Sequence, residues 1–331
     1  MLYRMLEQVG LRVSVVGLGT WPIGGTSWGG TNEDDALAAI SMSLDRGVTL
    51  IDTAPLYGFG RAEELIASAL AGRDREHVII SENIGLTWQQ STGRPFMEIE
   101  GRAINRDLRA STIRSQVERC LHRLQTDYLD IVFTNYPDPR TPVQETMAEL
   151  MRLKAEGTIR AVGVSNVTVT QLKEYLAVGQ VDAVQQQYHL LDRQLEREML
   201  PFCQQHNIAV FAYSPLAQGL LTDTLDPKQR FSIGDMRMRD PRFSAESIAR
   251  TNTMLAQLVT MRKKYNLNQT QLSIAWVISH PGVTAVLVGA RNAVQAEDNA
   301  VGSVLLAPED VIAIDRIIDL EAQEKHLPHA A

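Results

Sequence analysis

Tyr128-Leu-Asp-Ile-Val-Phe-Thr-Asn135 and Ile159-Arg-Ala-Val-Gly-Val-Ser165 are two short apolar runs separated by one amphipathic stretch over 142–156. Their apolar character is continuous rather than alternating, as expected of strands covered on both faces. The stretch between them carries Pro142 at its first position and ends at Gly157, which are helix start and stop signals. Strand, helix and strand in that order form a unit whose two strands lie parallel.

The same unit recurs in both directions along the chain. Apolar runs fall at 13–18, 49–53, 77–83, 128–135, 159–165, 183–187, 208–214 and 284–289. Helical patterns separate them at 33–46, 62–71, 111–124, 142–156, 168–178 and 195–205, with Asn32 placed to cap the first and Gly47 to end it. Residues 216–245 read as loop, two helices (247–264 and 269–279) precede the eighth run, and a last helix spans 308–322. Eight alternations predict a (β/α)8 TIM barrel, with extra helices before strand eight and at the C-terminus. The composition has no break, so 1–331 reads as one domain, with 1–12 a cap below the barrel and 323–331 a tail.

The bulk numbers narrow the function classes. Of 331 residues, 44% are hydrophobic and 21% charged, and the net charge is −7. No cluster of Lys and Arg suited to phosphate backbones occurs, so no nucleic-acid partner is expected. No apolar run approaches a membrane span and no signal-peptide core precedes the barrel, which reads as cytoplasmic. Cys120 and Cys203 read as buried thiols, and no His has metal-ligand spacing, so no metal is expected.

In a (β/α)8 barrel the chemistry sits where the strands end. Those positions are Gly19-Thr20-Trp21, Asp52 with Tyr57, Asn83, Asn135, Ser165-Asn166, Gln185, Tyr213-Ser214 and Gly289-Ala290-Arg291. One polar strand end is usually a cap or turn; a ring of them around one mouth points to a site.

Val16-Gly-Leu-Gly-Thr-Trp21, Ile51-Asp-Thr-Ala-Pro-Leu-Tyr-Gly58, Leu124–Asp130, Val162-Gly-Val-Ser-Asn166, Tyr213-Ser-Pro-Leu-Ala217 and Val288-Gly-Ala-Arg291 together resemble the aldo-keto reductase superfamily over nearly the whole chain. The resemblance is nearest to the branch holding bacterial inositol-operon reductases and potassium-channel β subunits. It implies NADP(H) laid across the barrel mouth. Tyr213 offers a ring for the nicotinamide, and Ser165, Asn166 and Gln185 offer partners for its carboxamide. Asp52, Gly19, Thr20 and Trp21 border the same end. Ser214, Pro215, Leu216, Gln218 and Gly219 suit the pyrophosphate. Gly289 and Arg291 face the 2′-phosphate, and Gln295, Asp298 and Asn299 face the adenine. Where the family has Gly-Lys after strand seven, this chain has Asp223-Thr224, and Arg237 or Arg239 is the candidate replacement.

The resemblance also implies a catalytic Asp, Tyr, Lys and His. Asp52 and Tyr57 are present, but Asn83 stands at the Lys position and Asn135 at the His position. A free Tyr has a pKa of ~10, and the Lys cation normally makes it a better acid. Asn83 removes that cation; Glu82 beside it should face away from it. Trp21, Tyr57, Trp88 and Tyr136 are the candidate substrate-pocket walls. The leading expectation is an NADP(H)-dependent oxidoreductase acting on a small carbonyl or a sugar or polyol. An NADP⁺-assisted elimination or epimerisation comes second, and an NADP(H)-binding regulatory protein third. The sequence leaves the substrate, the direction of reaction and the oligomeric state open.

Overall fold

The computed structural model describes residues 1–88, 93–222 and 225–325, the last five as backbone only. Eight strands close into a barrel, each paired in parallel with the next in chain order, and the eighth pairs with the first. They are Val16–Gly19, Leu50–Thr53, Ile79–Ile84, Leu129–Thr134, Ile159–Ser165, Ala183–Gln187, Ala209–Tyr213 and Ala285–Gly289. All eight predicted runs are strands. The register brings Gly19 beside Asp52, Asp52 beside Ser81, and Ser165 beside Gln185, so the polar strand ends form one ring.

The barrel interior is filled by side-chain packing. Leu50, Ile131, Phe133, Phe211 and Leu287 alternate with Ala161, Ala183, Ala209 and Ala285. Gly163 is required here: a Cβ on it would lie 2.3 Å from the Phe133 ring. Below, Tyr3–Leu6 and Leu11–Ser14 pair as an antiparallel hairpin whose Leu6, Leu11 and Val13 join the interior cluster. The expected cap at 1–12 is therefore a plug, and the run at 13–18 divides between it and the first barrel strand.

The helices follow the predicted order. Asn32 accepts from the Asp35 N–H at 3.0 Å and so caps Glu33–Asp45. Pro142 is itself the cap of Val143–Ala155, one place before its expected position. The stretch at 247–264 is two helices, Ala245–Ala256 and Val259–Tyr265. Gln269–Ser279 lies as expected, with Asn268 and Gln271 forming a reciprocal capping box. The last helix, Pro308–Lys325, extends past 322. A hairpin was not foreseen: between strand three and its helix, Arg94–Ile99 and Arg102–Arg106 pair, with Leu86–Thr87 pairing against the second arm. Cys120 and Cys203 are both free and buried. Among the described residues no helix is long and apolar enough to cross a membrane. Asp223-Thr224 and the end of the tail lie outside the described residues.

Candidate active site

Strand alternation sets the centre of the ring. Ser81 and Asn83 are two apart on strand three, so their side chains share one face. Both reach Asp52 at the end of strand two. Ser81 Oγ donates to Asp52 Oδ1 at 2.5 Å, Asn83 Nδ2 at 3.0 Å, and Gln185 Nε2 from across the barrel at 2.7 Å. All three donors are neutral. Burial pushes the Asp52 carboxyl up to about 7, and the three hydrogen bonds offset only part of that rise. Asn83 Nδ2 also donates to the Thr53 carbonyl at 3.1 Å, while its Oδ1 is buried without a partner among the described residues.

Tyr57 is held by backbone packing after strand two. Gly24 passes so close that a Cβ there would lie 2.4 Å from the Tyr57 carbonyl carbon. Gly58 follows at φ 67°, a conformation that favours glycine, and presses against the Gly24 carbonyl. The Tyr57 ring stacks near Trp21 (centroids 6.1 Å, planes 18° apart), and Trp21 meets Trp28 edge-on. Burial first, and then the Asp52 charge, push the Tyr57 phenol well above its ordinary value.

The opposite wall is a second chain of hydrogen bonds. Tyr213 donates its hydroxyl to Asn166 Oδ1 at 2.7 Å, and Asn166 Nδ2 donates to the Asn135 carbonyl at 2.7 Å and to Ser165 Oγ at 3.1 Å. Asn166 takes a left-handed backbone, φ 58°, which Asn tolerates better than most residues. Ser165 Oγ in turn donates to the Gln185 carbonyl at 3.0 Å. Thus Asn135, Asn166, Tyr213, Gln185, Asp52 and Asn83 are fixed relative to one another.

All of these but Asn83 face a cavity of about 930 Å³ that runs across the mouth. Trp21, Asp52, Tyr57, Asn135, Tyr136, Asn166, Gln185 and Tyr213 line one part of it. Gly19, Ser214, Pro215, Leu216, Gln218, Gly219, Gly289, Arg291, Gln295, Asp298 and Asn299 line the rest. Arg291 donates to the carbonyls of Gly30 (2.7 Å) and Trp28 (3.3 Å), with no carboxylate in salt-bridge contact among the described residues. Arg237 also lines the cavity but is paired to Asp235 (Nη2–Oδ2 2.7 Å), whereas Arg239 does not border it. The Trp28–Asp235 bridge joins the loop after strand one to the loop after strand seven along this wall.

Several expectations are corrected by placement. Trp88 does not border this cavity; its indole packs edge-on to Phe59 and lines a separate pocket of about 30 Å³. Strand three ends at Ile84 and the chain turns into the inserted hairpin, which carries Trp88 aside. Thr20 and Ser165 do not line the cavity either: the Thr20 hydroxyl is spent on the Asp52 carbonyl at 2.9 Å, and Ser165 acts through Gln185 and Asn166. Asn83 lies behind Asp52. Asp298 accepts from Asn268 and Gln271, both at 2.7 Å, which ties it to a helix cap, and Asn299 donates to the Gly289 carbonyl at 3.1 Å. Among the missed residues are Ser81, legible from its i, i+2 relation to Asn83, and Met97 and Ile99, which lie on one mostly exposed strand with no local signal.

Glu82 points away from Asn83, as expected, into the layer between barrel and helices. Both of its carboxylate oxygens are buried without a hydrogen-bond partner among the described residues. Burial, then the Glu63 charge, hold its pKa well above the usual carboxylate range. Glu63, Glu82 and Cys120 bring ligand atoms within 4.8 Å of one another, but Arg123 occupies both Glu63 oxygens at 2.7 and 2.9 Å. That pairing leaves the trio without a ligand set.

With this geometry in view, the chain compares as follows. The model of the Aldo/keto reductase family matches residues 15–319. The NADH-specific methylglyoxal reductase of Escherichia coli (strain K12) is 36% identical over 294 residues, covering 87% of this chain and 89% of that protein. The solved structure of the glycerol dehydrogenase AKR11B4 from Gluconobacter oxydans is similar, with a TM-score of 0.85 and 32% identity, covering 98% of this chain and 96% of that one. So is an aldo-keto reductase from Klebsiella pneumoniae in complex with NADPH (TM-score 0.73, 28% identity, 96% of each chain).

Proposed function

The chain belongs to the aldo/keto reductase family, and on that premise we propose that it is an NADP(H)-dependent oxidoreductase acting on a small carbonyl compound. The observation that carries the reading is the convergence of Tyr57, Asn135 and Tyr213 on one cavity that continues to Arg291. Tyr213 supports the nicotinamide face, while Asn166 and Gln185 are positioned to pair with its carboxamide. Bound NADPH supplies the hydride. Tyr57 stands to deliver the proton to the carbonyl oxygen, and the Asn135 amide to orient that oxygen. Gly219 and the backbone after strand seven suit the pyrophosphate. Arg291, whose charge has no carboxylate in contact among the described residues, suits a 2′-phosphate, so NADP(H) is preferred to NAD(H) here.

Asn83 and Asn135 occupy the positions that carry Lys and His in the family pattern, and the acid–base set is altered accordingly. Fluorescence titration with NADPH and NADH, followed by absorbance of the reduced nicotinamide across a panel of aldehydes and ketones, tests the reading. Tight NADPH binding and oxidation by at least one carbonyl support it, while failure of both nucleotides to bind overturns it.

A second reading has one specific support. Asp52, with a carboxyl near 7 and three neutral donors, is a better base than an Asp paired to an ammonium. Oxidation of a sugar-like alcohol by bound NADP⁺, proton abstraction, and return of the hydride would use that base without net consumption of cofactor. Bound NADPH that persists with every carbonyl, together with isomerisation of a polyol or sugar by the NADP⁺ complex, would select it.

A further inference from the structure

We infer that the hairpin inserted after strand three makes this mouth selective for carbonyl compounds bearing an apolar substituent, an inference that rests on the proposed function and narrows its substrate class. The hairpin is fixed against both sides of the centre. Phe96 packs on Tyr136, next to Asn135, with ring centroids 4.7 Å apart, and Arg106 covers Phe96 at 4.9 Å while donating to the Pro137 carbonyl at 3.3 Å. On the other side Arg102 lies 4.1 Å over the ring of Phe59, two residues beyond Tyr57. Arg140 donates to the Gly93 carbonyl at 2.6 Å and holds the base of the arm. The hairpin therefore bridges the loops that carry Tyr57 and Asn135.

Its side chains decide what the bridge presents. Met97 and Ile99 are two apart on one strand and both line the cavity, where Leu56 and Leu86 continue the wall. Met97 is 42% exposed, so apolar surface at this wall awaits burial. A thioether side chain adapts to substituents of different shape. Arg102 and Arg106 are turned to Phe59 and Phe96, and neither they nor Arg94 line the cavity. Asp52 apart, the charged lining residues are Arg237, Arg291, Glu297 and Asp298, all after strands seven and eight. Among the described residues, this wall of the lining offers a substrate carboxylate or phosphate no cation. A polyol finds too few hydrogen-bond partners there to replace its water. An alkyl chain or an aromatic ring gives up no hydrogen bonds there and gains roughly fourfold in binding for each methylene buried.

The test needs one reading without turnover and one with it. Straight-chain alkanamides of three to eight carbons, which cannot be reduced, are titrated by calorimetry onto the protein with NADP⁺. The matching alkanals are assayed for kcat/KM with NADPH. Both series should rise about fourfold per methylene over the first few carbons, and Met97→Ser/Ile99→Ser should flatten both, with NADPH affinity serving as the check on folding. A slope near one in the wild-type alkanamide series overturns the inference, as does a slope unchanged in the double variant. If no alkanal is reduced but the alkanamide slope is present and is lost in the variant, the reductase reading falls and the apolar wall stands. If alkanals are reduced with no dependence on length, the apolar wall falls and the reductase reading stands.

Discussion

Asn83 donates its side-chain amide to Asp52 Oδ1 across 3.0 Å and to the Thr53 carbonyl across 3.1 Å, while its own Oδ1 is buried unpaired. The surroundings of residue 83 thus offer acceptors, and only half of an amide can use them. An unmatched buried acceptor costs about 1–3 kcal/mol. A side chain with donors only, such as an ammonium, would meet the same acceptors without that cost.

Asn83→Lys should therefore restore a cation to Asp52, lower its pKa from about 7 and make Tyr57 a better acid. Single-turnover oxidation of bound NADPH by a carbonyl should speed up by roughly tenfold or more near neutral pH. No acceleration, with NADPH affinity retained, would count against the role assigned to this position.

Tyr57→Phe removes the proposed proton donor and nothing else from the cavity wall. Carbonyl reduction should fall by about 10²–10⁴-fold, with NADPH affinity within twofold of wild type. A rate within threefold of wild type would assign proton delivery to another group.

The pH dependence has a definite sign. Below about pH 7 Asp52 is neutral; above it the carboxylate faces Tyr57 and opposes the negative charge that grows on the phenol as it gives up its proton. Reduction should decline as pH rises through about 7, and Asp52→Asn should remove that limb from the profile. A profile that rises across the same range in the wild type would contradict this assignment.

Glu82 gives a stability prediction independent of catalysis. Its folded pKa is raised, so the folded state holds a proton that the unfolded chain releases from about pH 4.5 upward. Wild-type stability should fall by up to about 1.4 kcal/mol per pH unit from there until the folded pKa is reached. Glu82→Gln removes this component, and Tm measured from pH 5 to 8 should show the variant gaining on the wild type as pH rises. Parallel curves would mean that Glu82 is ionised in the folded protein.

Arg291→Leu should weaken NADPH by about tenfold or more, the loss expected of charge-assisted hydrogen bonds to a phosphate, and leave NADH nearly unchanged. An equal loss for both nucleotides would place Arg291 outside the 2′-phosphate site.

The barrel was legible because its strands are buried on both faces. Runs such as Ile131-Val-Phe133 and Ala161-Val-Gly-Val164 carry that signal locally. The inserted hairpin was not, because Arg94–Ile99 is mostly exposed and its alternating apolar pair, Met97 and Ile99, faces a cavity made by distant parts of the chain. Trp88 was misjudged for the same reason: its distance from strand three in sequence did not show that the chain turns aside there. The ring of candidate site residues was read from strand ends, but which of them touch was not. That Gln185 reaches Asp52 across 133 positions in sequence follows from barrel closure alone. Ser81 was within reach of pattern reasoning, since it shares a strand face with Asn83.

The central claim is that this mouth transfers hydride from NADPH to a carbonyl carbon despite Asn83. It is tested most directly by loading the protein with NADPH deuterated at nicotinamide C4 and mixing it with a medium-chain alkanal under single-turnover conditions. The alcohol is then analysed by mass spectrometry. Deuterium on the carbinol carbon, one per NADPH consumed, is the predicted result. An unchanged alkanal beside persistent bound NADPH would contradict the account.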